Sequence, residues 1–211
     1  MFEGAVDSFE VEIRQPLNKL PAYTRRKCRT TVKVQIVATK DLKIVDATVG
    51  WPGAIHDARI FRNSSLSAAI RVRLAGTPYH ILADTAYPLI ERIMVPYRRD
   101  RELEPHEEEF NAILKSERQN VERAIGLIKM KWRRLKYLDM FKLKNAHTIL
   151  MVAICLHNFG LAQDGWIDDA PFIHEEEEEE DEDLHVDDEN DNFEEMRTGI
   201  EKRRQIVENL I

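Results

Sequence analysis

The first half of the chain is patterned in short alternating runs. From Ala5 to Ile13 apolar and polar positions interleave around Val6, Phe9, Val11 and Ile13, the period-two signature of a half-buried strand. A second run from Thr31 to Thr39 carries Val32, Val34, Ile36 and Val37, and a third, rich in β-branched residues, spans Leu42 to Val49. The polar Thr39-Lys40-Asp41 between them predicts a hairpin, and Trp51-Pro52-Gly53 predicts its end, because Pro and Gly break a ladder. Ile55 to Leu74 changes to helical spacing, divided at Asn63-Ser64-Ser65 with Ser64 or Ser65 as N-cap. Tyr79 to Ala83 is a short apolar run that ends in Asp84 before a Tyr87-Pro88 turn, which predicts a buried strand presenting a carboxylate at its C-terminal end.

The second half is helical. Glu107 to Lys136 places Phe110, Ile113, Leu114, Val121, Ile125, Ile128 and Leu135 on one side, the stripe of an amphipathic helix. His147 to Phe159 predicts a further, more deeply buried helix. These runs bound an expected folded domain at 1–162. An acidic low-complexity loop is expected at 163–193, too charged to fold alone. A C-terminal amphipathic helix at 194–211, spaced by Ile200, Ile206, Val207 and Leu210, is expected to dock back on the domain. Strands followed by mixed strands and helices give an α/β or α+β domain with a mixed sheet.

Charge changes this picture more than composition does. The 211 residues include 43% hydrophobic and 33% charged positions and carry a formal net charge of -7. Thirteen of the acids fall between Glu175 and Asp191, and outside that segment 31 basic residues face 25 acidic ones. A mildly basic body with an acidic appendage suits a nucleic-acid-binding domain, as it also suits many soluble proteins. The two cysteines, Cys28 and Cys155, lack metal-ligand spacing and read as reduced thiols. No signal sequence is visible at the start, and the apolar stretch Ile149 to Leu156 is too short to cross a bilayer. A soluble intracellular protein without a membrane partner is the expectation.

Three acids stand where a metal site could be assembled: Asp7 inside Gly4-Ala5-Val6-Asp7, Asp84 after Ile81-Leu82-Ala83, and Glu122 among Val121, Ala124 and Ile125. A carboxylate beside apolar residues is costly to bury unless it is paired or binds a cation. An oxygen-only set suits Mg²⁺, with Mn²⁺ as substitute. The plainer reading is that single acids cap strands or face solvent, and that Glu122 pairs with Arg118 or Arg123. Spacing alone leaves both open. Glu10 and Glu12 are alternative acids beside Asp7. His56 and Asp57, just after the Trp51-Pro52-Gly53 turn, read as structural or as supporting the carboxylates, with Asp57 pairing to Arg59 or Arg62 as the plainer alternative. Two basic clusters, Arg25, Arg26 and Lys27, and Lys129, Lys131, Arg133 and Arg134, are candidate phosphate contacts; a solvated helix face is the alternative for the second.

Longer motifs point to one family. Val49 to Ser64 reads VGWPGAIHDARIFRNS, Leu82 to Leu89 reads LADTAYPL, and Phe110-Asn111 leads through Asn120-Val121-Glu122-Arg123-Ala124-Ile125-Gly126-Leu127-Ile128-Lys129 to Trp132-Arg133. Together with Leu156-His157-Asn158 these blocks, in order, resemble PIF/Harbinger-type DDE transposases over most of Gly4 to Phe159. The resemblance implies an RNase H-like α/β fold, a mixed sheet flanked by helices. It implies Asp7, Asp84 and Glu122 as a catalytic, metal-binding triad, and two-metal cleavage of DNA phosphodiesters with Mg²⁺ or Mn²⁺. The first block departs from the family pattern: Asp7 is followed by Ser8-Phe9-Glu10 where the family has Asp-Gly-Thr. The alternative expectation is therefore a domesticated or truncated relic that binds DNA or protein without catalysis. Family members carry an N-terminal helical region ahead of the catalytic domain, so a separate DNA-targeting protein is an expected partner. The nucleus is the expected location, with the cytoplasm as alternative.

Overall fold

The computed structural model describes residues 2–14, 29–140, 142–164 and 193–209. Its centre is a mixed sheet. The strands are β1 (Phe2–Ile13), β2 (Thr31–Ala38), β3 (Ile44–Pro52), β4 (His80–Leu82), β5 (Ile93–Met94) and β6 (Tyr137–Leu138). The order is β3-β2-β1-β4-β5, with β6 pairing to β1 beyond that path. β1, β2 and β3 run antiparallel in sequence, whereas β4 joins β1, and β5 joins β4, in parallel. The hairpin expected at Thr39-Lys40-Asp41 is present, with Leu42 at its tip at φ 60 and its amide donating to the Thr39 carbonyl. β3 starts two residues later than the pattern implied and runs on to Pro52. β5 and β6 have no counterpart in the sequence reading, since two-residue strands are too short to carry a period.

Alternation along β1 assigns its two faces. Ala5, Phe9, Val11 and Ile13 join Val32, Val34, Ile36 and Ala38 in one core, with α3 (Pro105–Lys131) and α4 (Leu143–Asp164) over them. Val6 and Val37 point the other way, into a second core with Phe61, Leu66, Ile70 and Leu74. Those last four belong to α1 (Asp57–Arg62) and α2 (Ser65–Arg73) and the residue that ends α2. Ser64 is the N-cap of α2, though its hydroxyl donates to the Phe61 carbonyl rather than into the helix. Gly4 is required by close approach: a Cβ there would stand 2.6 Å from the Ala38 carbonyl oxygen.

The helix expected from Glu107 to Lys136 is shorter and starts earlier. Pro105 occupies its first turn, and Glu104 and Glu107 form a reciprocal capping box, which satisfies amides that the first turn leaves open. It stops at Lys131, and Arg133–Lys136 forms a separate 3-10 turn. α4 is longer than expected and less buried: Leu150, Ala153, Ile154 and His157 are inside, while Val152, Leu156 and Phe159 are exposed. Although α4 is long and apolar enough to cross a membrane by length and composition, its inner side is part of the core shared with the sheet. α5 (Phe193–Glu208) rests on β5 and α3, with Gly199 so close to Ile90 that a Cβ would come within 2.8 Å of its backbone. Sheet and helices together form an RNase H-like α/β fold. The acidic segment Glu175 to Asp191 and the basic cluster Arg25, Arg26 and Lys27 lie outside the described residues.

Candidate functional site

Strand register brings two of the candidate acids together. β1 and β4 are parallel neighbours, with Ala5 opposite Leu82. Asp7 lies two residues beyond Ala5 and Asp84 two beyond Leu82, so both stand at matching heights at the C-terminal end of β4. Period two carries both toward the face that Ala5 and Leu82 share, which α3 covers. The ladder persists past β4, since the Ala83 amide donates to the Met94 carbonyl at 2.9 Å. Asp84 Oδ1 then accepts the Ala86 amide at 3.0 Å, a local turn that fixes the carboxylate as the chain leaves the sheet.

α3 supplies the opposing wall through Arg118 and Glu122, one turn apart. An Arg118 guanidinium nitrogen lies 3.3 Å from Asp7 Oδ2 and 4.0 Å from Glu122 Oε1. The Arg118 and Asp7 side chains are largely buried, while that of Glu122 is 48% exposed. Glu122 thus belongs to the rim and is joined to Asp7 through the Arg118 guanidinium. Of the two pairings open from the sequence, the structure has Glu122 with Arg118. Among the described residues, no three acid, His or Cys side chains meet closely enough to hold a metal ion.

The electrostatics nevertheless favour a cation. Burial raises the Asp7 carboxyl most strongly, and Asp84 and Asp57 add to it. Arg118 and the Ser8 amide oppose the rise, yet the group is pushed up to about 7. The rise is chiefly the cost of burying the charged form, which Arg118 offsets only in part. The donors are all oxygen, the chemistry that suits Mg²⁺ or Mn²⁺, so the residues present fit such an ion. Tyr87 lies in the same field: burial, then Asp57, Asp7 and Asp84, drive its phenol well above the usual range. Its hydroxyl is buried with no hydrogen-bond partner among the described residues. Sequence reading passed over Tyr87 except as part of a turn.

His56 and Asp57 separate. His56 is exposed at the N-cap of α1 without a side-chain cap bond, and Asp57 is buried. Asp57 pairs with Lys33 on β2, at 2.9 Å, a partner the sequence reading did not offer, and it also accepts the Ser8 hydroxyl at 2.8 Å. Lys33 was missed. The available signal was a lysine inside the apolar run Val32-Lys33-Val34, a position where an ammonium needs a partner. Glu10 stands across from Lys33 in the β1–β2 register, and Glu12 across from Thr31. They alternate with Asp7 and so belong to the other face of β1.

The second basic cluster lies beyond Glu122, although only Lys129 and Lys131 are on α3; Arg133 and Arg134 belong to the 3-10 turn. Lys129 sits over the Phe9 ring at 5.6 Å, while Lys131, Arg133 and Arg134 are exposed. They border a concavity of about 410 Å³ whose floor is Leu135 and the α4 residues Ile149, Val152, Ala153 and Leu156. No acid lines it, so this groove is distinct from the carboxylate cluster. Leu156-His157-Asn158 is structural: His157 Nε2 meets the Leu42 carbonyl at 2.8 Å, and Asn158 bonds both the amide and the carbonyl of Ile44. The block clamps α4 to the β2–β3 hairpin.

Residues 6–158 match the model of the DDE superfamily endonuclease family. Among curated proteins, the chain is 24% identical over 186 residues to "Protein ALP1-like" of Arabidopsis thaliana, covering 80% of this chain and 45% of that protein. It is 24% identical over 169 residues to "Putative nuclease HARBI1" of Rattus norvegicus, covering 77% of this chain and 47% of that protein. The chain thus spans about half the length of these relatives. No solved structure matches it. The matched span includes Asp7, Asp57, Asp84, Arg118 and Glu122, and the chain belongs to the DDE superfamily endonuclease family.

Proposed function

We propose that this domain is a metal-dependent DNA endonuclease in which Asp7, Asp84 and Glu122 hold divalent metal. The observation that carries the reading is the parallel register of β1 and β4, which sets Asp7, midway along β1, level with Asp84 just past the end of β4, while Arg118 joins Asp7 to the turn of α3 that bears Glu122. Asp7, Asp84 and Glu122 would hold Mg²⁺, or Mn²⁺ in its place, and one or two such ions, when bound, would supply the Lewis acidity that activates water and offsets charge on a leaving oxygen. Asp7 and Asp84 present fixed oxygens, and Glu122 adds a carboxylate on a longer, exposed arm. Arg118 holds Asp7 and Glu122 near one another. Exposed Lys131, Arg133 and Arg134, with Lys129, follow Glu122 along the chain and offer contacts to flanking phosphates. A DNA-targeting protein partner and a nuclear location belong to the same reading.

Replacing Asp84 with Ala is expected to abolish Mg²⁺-dependent cleavage of duplex DNA while the circular dichroism spectrum and melting temperature stay close to the parent's. Undiminished cleavage by that variant would sink the assignment.

A second reading, a non-catalytic DNA- or protein-binding module, is favoured by one arrangement: Arg118 stands between Asp7 and Glu122 where a metal would be needed. Calorimetric titration with Mn²⁺ separates the two. Binding that weakens when Asp84 is neutralised supports the nuclease, and absence of binding supports the module.

A further inference from the structure

The ion pair between Lys33 and Asp57 is almost wholly enclosed, with 9% and 11% of the two side chains exposed. It links β2 to the start of α1, on the sheet face opposite α3. Apolar residues of similar volume would close the same space without desolvating two charges, so a buried pair is weak evidence for stability and better evidence for positioning. What it positions is visible in its third member. Asp57 Oδ1 takes both the Lys33 ammonium at 2.9 Å and the Ser8 hydroxyl at 2.8 Å. Ser8 in turn donates its backbone amide to Asp7 Oδ1 at 2.7 Å. With Oδ1 pinned, Oδ2 is the oxygen left toward α3, where Arg118 meets it at 3.3 Å.

We propose that Lys33, Asp57 and Ser8 form a positioning relay through the sheet that fixes the Asp7 carboxylate and presents its Oδ2 to a cation. Its use in metal binding rests on the nuclease reading above; the positioning itself does not. A glycine at position 8, as the family pattern has it, would lack the hydroxyl that closes the relay. Ser8 is thus where this chain couples its His56-Asp57 block to the first acid. Lys33 has a second consequence. It engages Asp57, so that the acid bonded to the Ser8 hydroxyl is held by a fixed charge and kept from competing for the metal.

The test uses the full chain with Ser8→Ala, Ser8→Thr and Asp57→Ala, the Ser8 variants leaving the buried ion pair intact. In metal-free buffer, the amide signal of residue 8 and the Asp7 carboxyl ¹³C signal, identified by its loss in Asp7→Asn, are followed by NMR. Ser8→Ala and Asp57→Ala are expected to move both signals in the same direction, and Ser8→Thr to restore them. Calorimetry with Mn²⁺ is expected to show roughly tenfold weaker binding for Ser8→Ala, the size of loss usual when a partner behind a ligand is removed, with recovery in Ser8→Thr. Combining Ser8→Ala with Asp57→Ala should weaken binding no further than Asp57→Ala alone. Signals unchanged in Ser8→Ala, or not restored by threonine, overturn the relay. If the parent binds no Mn²⁺ while the NMR signals still respond, the relay stands and the metal reading falls.

Discussion

Asp7→Asn should make the protein more stable while removing a proposed metal ligand, and the gain should depend on pH. The Asp7 carboxyl is raised from 3.8 to about 7, chiefly by burial, with Asp84 and Asp57 opposing its charge and Arg118 only partly restoring it. The folded state therefore holds a proton that the unfolded chain releases near 3.8. Stability from this group is fully present below about 4 and is lost as pH rises through about 7. At about 1.4 kcal/mol per pH unit, that gap corresponds to a ceiling on the order of 4 kcal/mol. Asparagine has the same shape and keeps an oxygen for the Ser8 amide, but it turns an amide toward Arg118 and forfeits part of the gain. For a chain of this size about 2–4 °C accompanies each kcal/mol, so the melting temperature at pH 8 should rise by several degrees, roughly 15 °C at most. Melting curves of parent and variant from pH 4 to pH 8, in a chelator, are the assay. Their separation should open between pH 4 and pH 7. A variant no more stable at pH 8, or a gap of equal size at pH 4, would show that charge at Asp7 is not what the fold resists.

Three further outcomes follow from geometry elsewhere in the molecule. Asn158→Ala removes both bonds to the Ile44 backbone and should cost about 1–3 kcal/mol in urea titrations, with faster amide exchange at Ile44. Gly199→Ala places a Cβ within 2.8 Å of the Ile90 backbone, so α5 should lose protection in hydrogen exchange while β1 to β3 keep theirs. Glu107 is held down to about 2, first by its bonds with Arg101 and next by the Glu104 amide. The stability it contributes is present above its ordinary 4.5 and is lost as pH falls toward 2. Glu107→Gln should accordingly melt below the parent at pH 7, and the two should converge near pH 2; a constant difference would assign the effect to packing instead.

Much of the scaffold was legible in the sequence because its signals are local. Alternation gave β1 and β2, and it put Asp7 on the face of Ala5 and Phe9, where the core over α3 lies. The apolar run before Asp84 and the turn after it placed that carboxylate at a strand end. β5 and β6 escaped notice because two residues have no periodicity, and both exist only because a neighbouring strand offers its edge. The end of α3 was set too late, since Leu135 continues the apolar stripe although the chain has already changed to a 3-10 turn.

Partner choice was a different matter. The sequence by itself determined which residue types were available and which face of its own element each would occupy, because strand and helix periods fix direction relative to a neighbour in the chain. It thus supplied Asp7, Asp84 and Glu122 as candidates, and it supplied the family blocks. Only the tertiary structure decided that β1 and β4 lie side by side in a register that matches Asp7 with Asp84. It also decided that Asp57 meets Lys33, and that Arg118 lies closer to Asp7 than to Glu122. The physical reason is common to the last two. A buried charge takes whichever opposite charge the packed elements leave within reach, and that choice is made across 24 to 111 residues of chain.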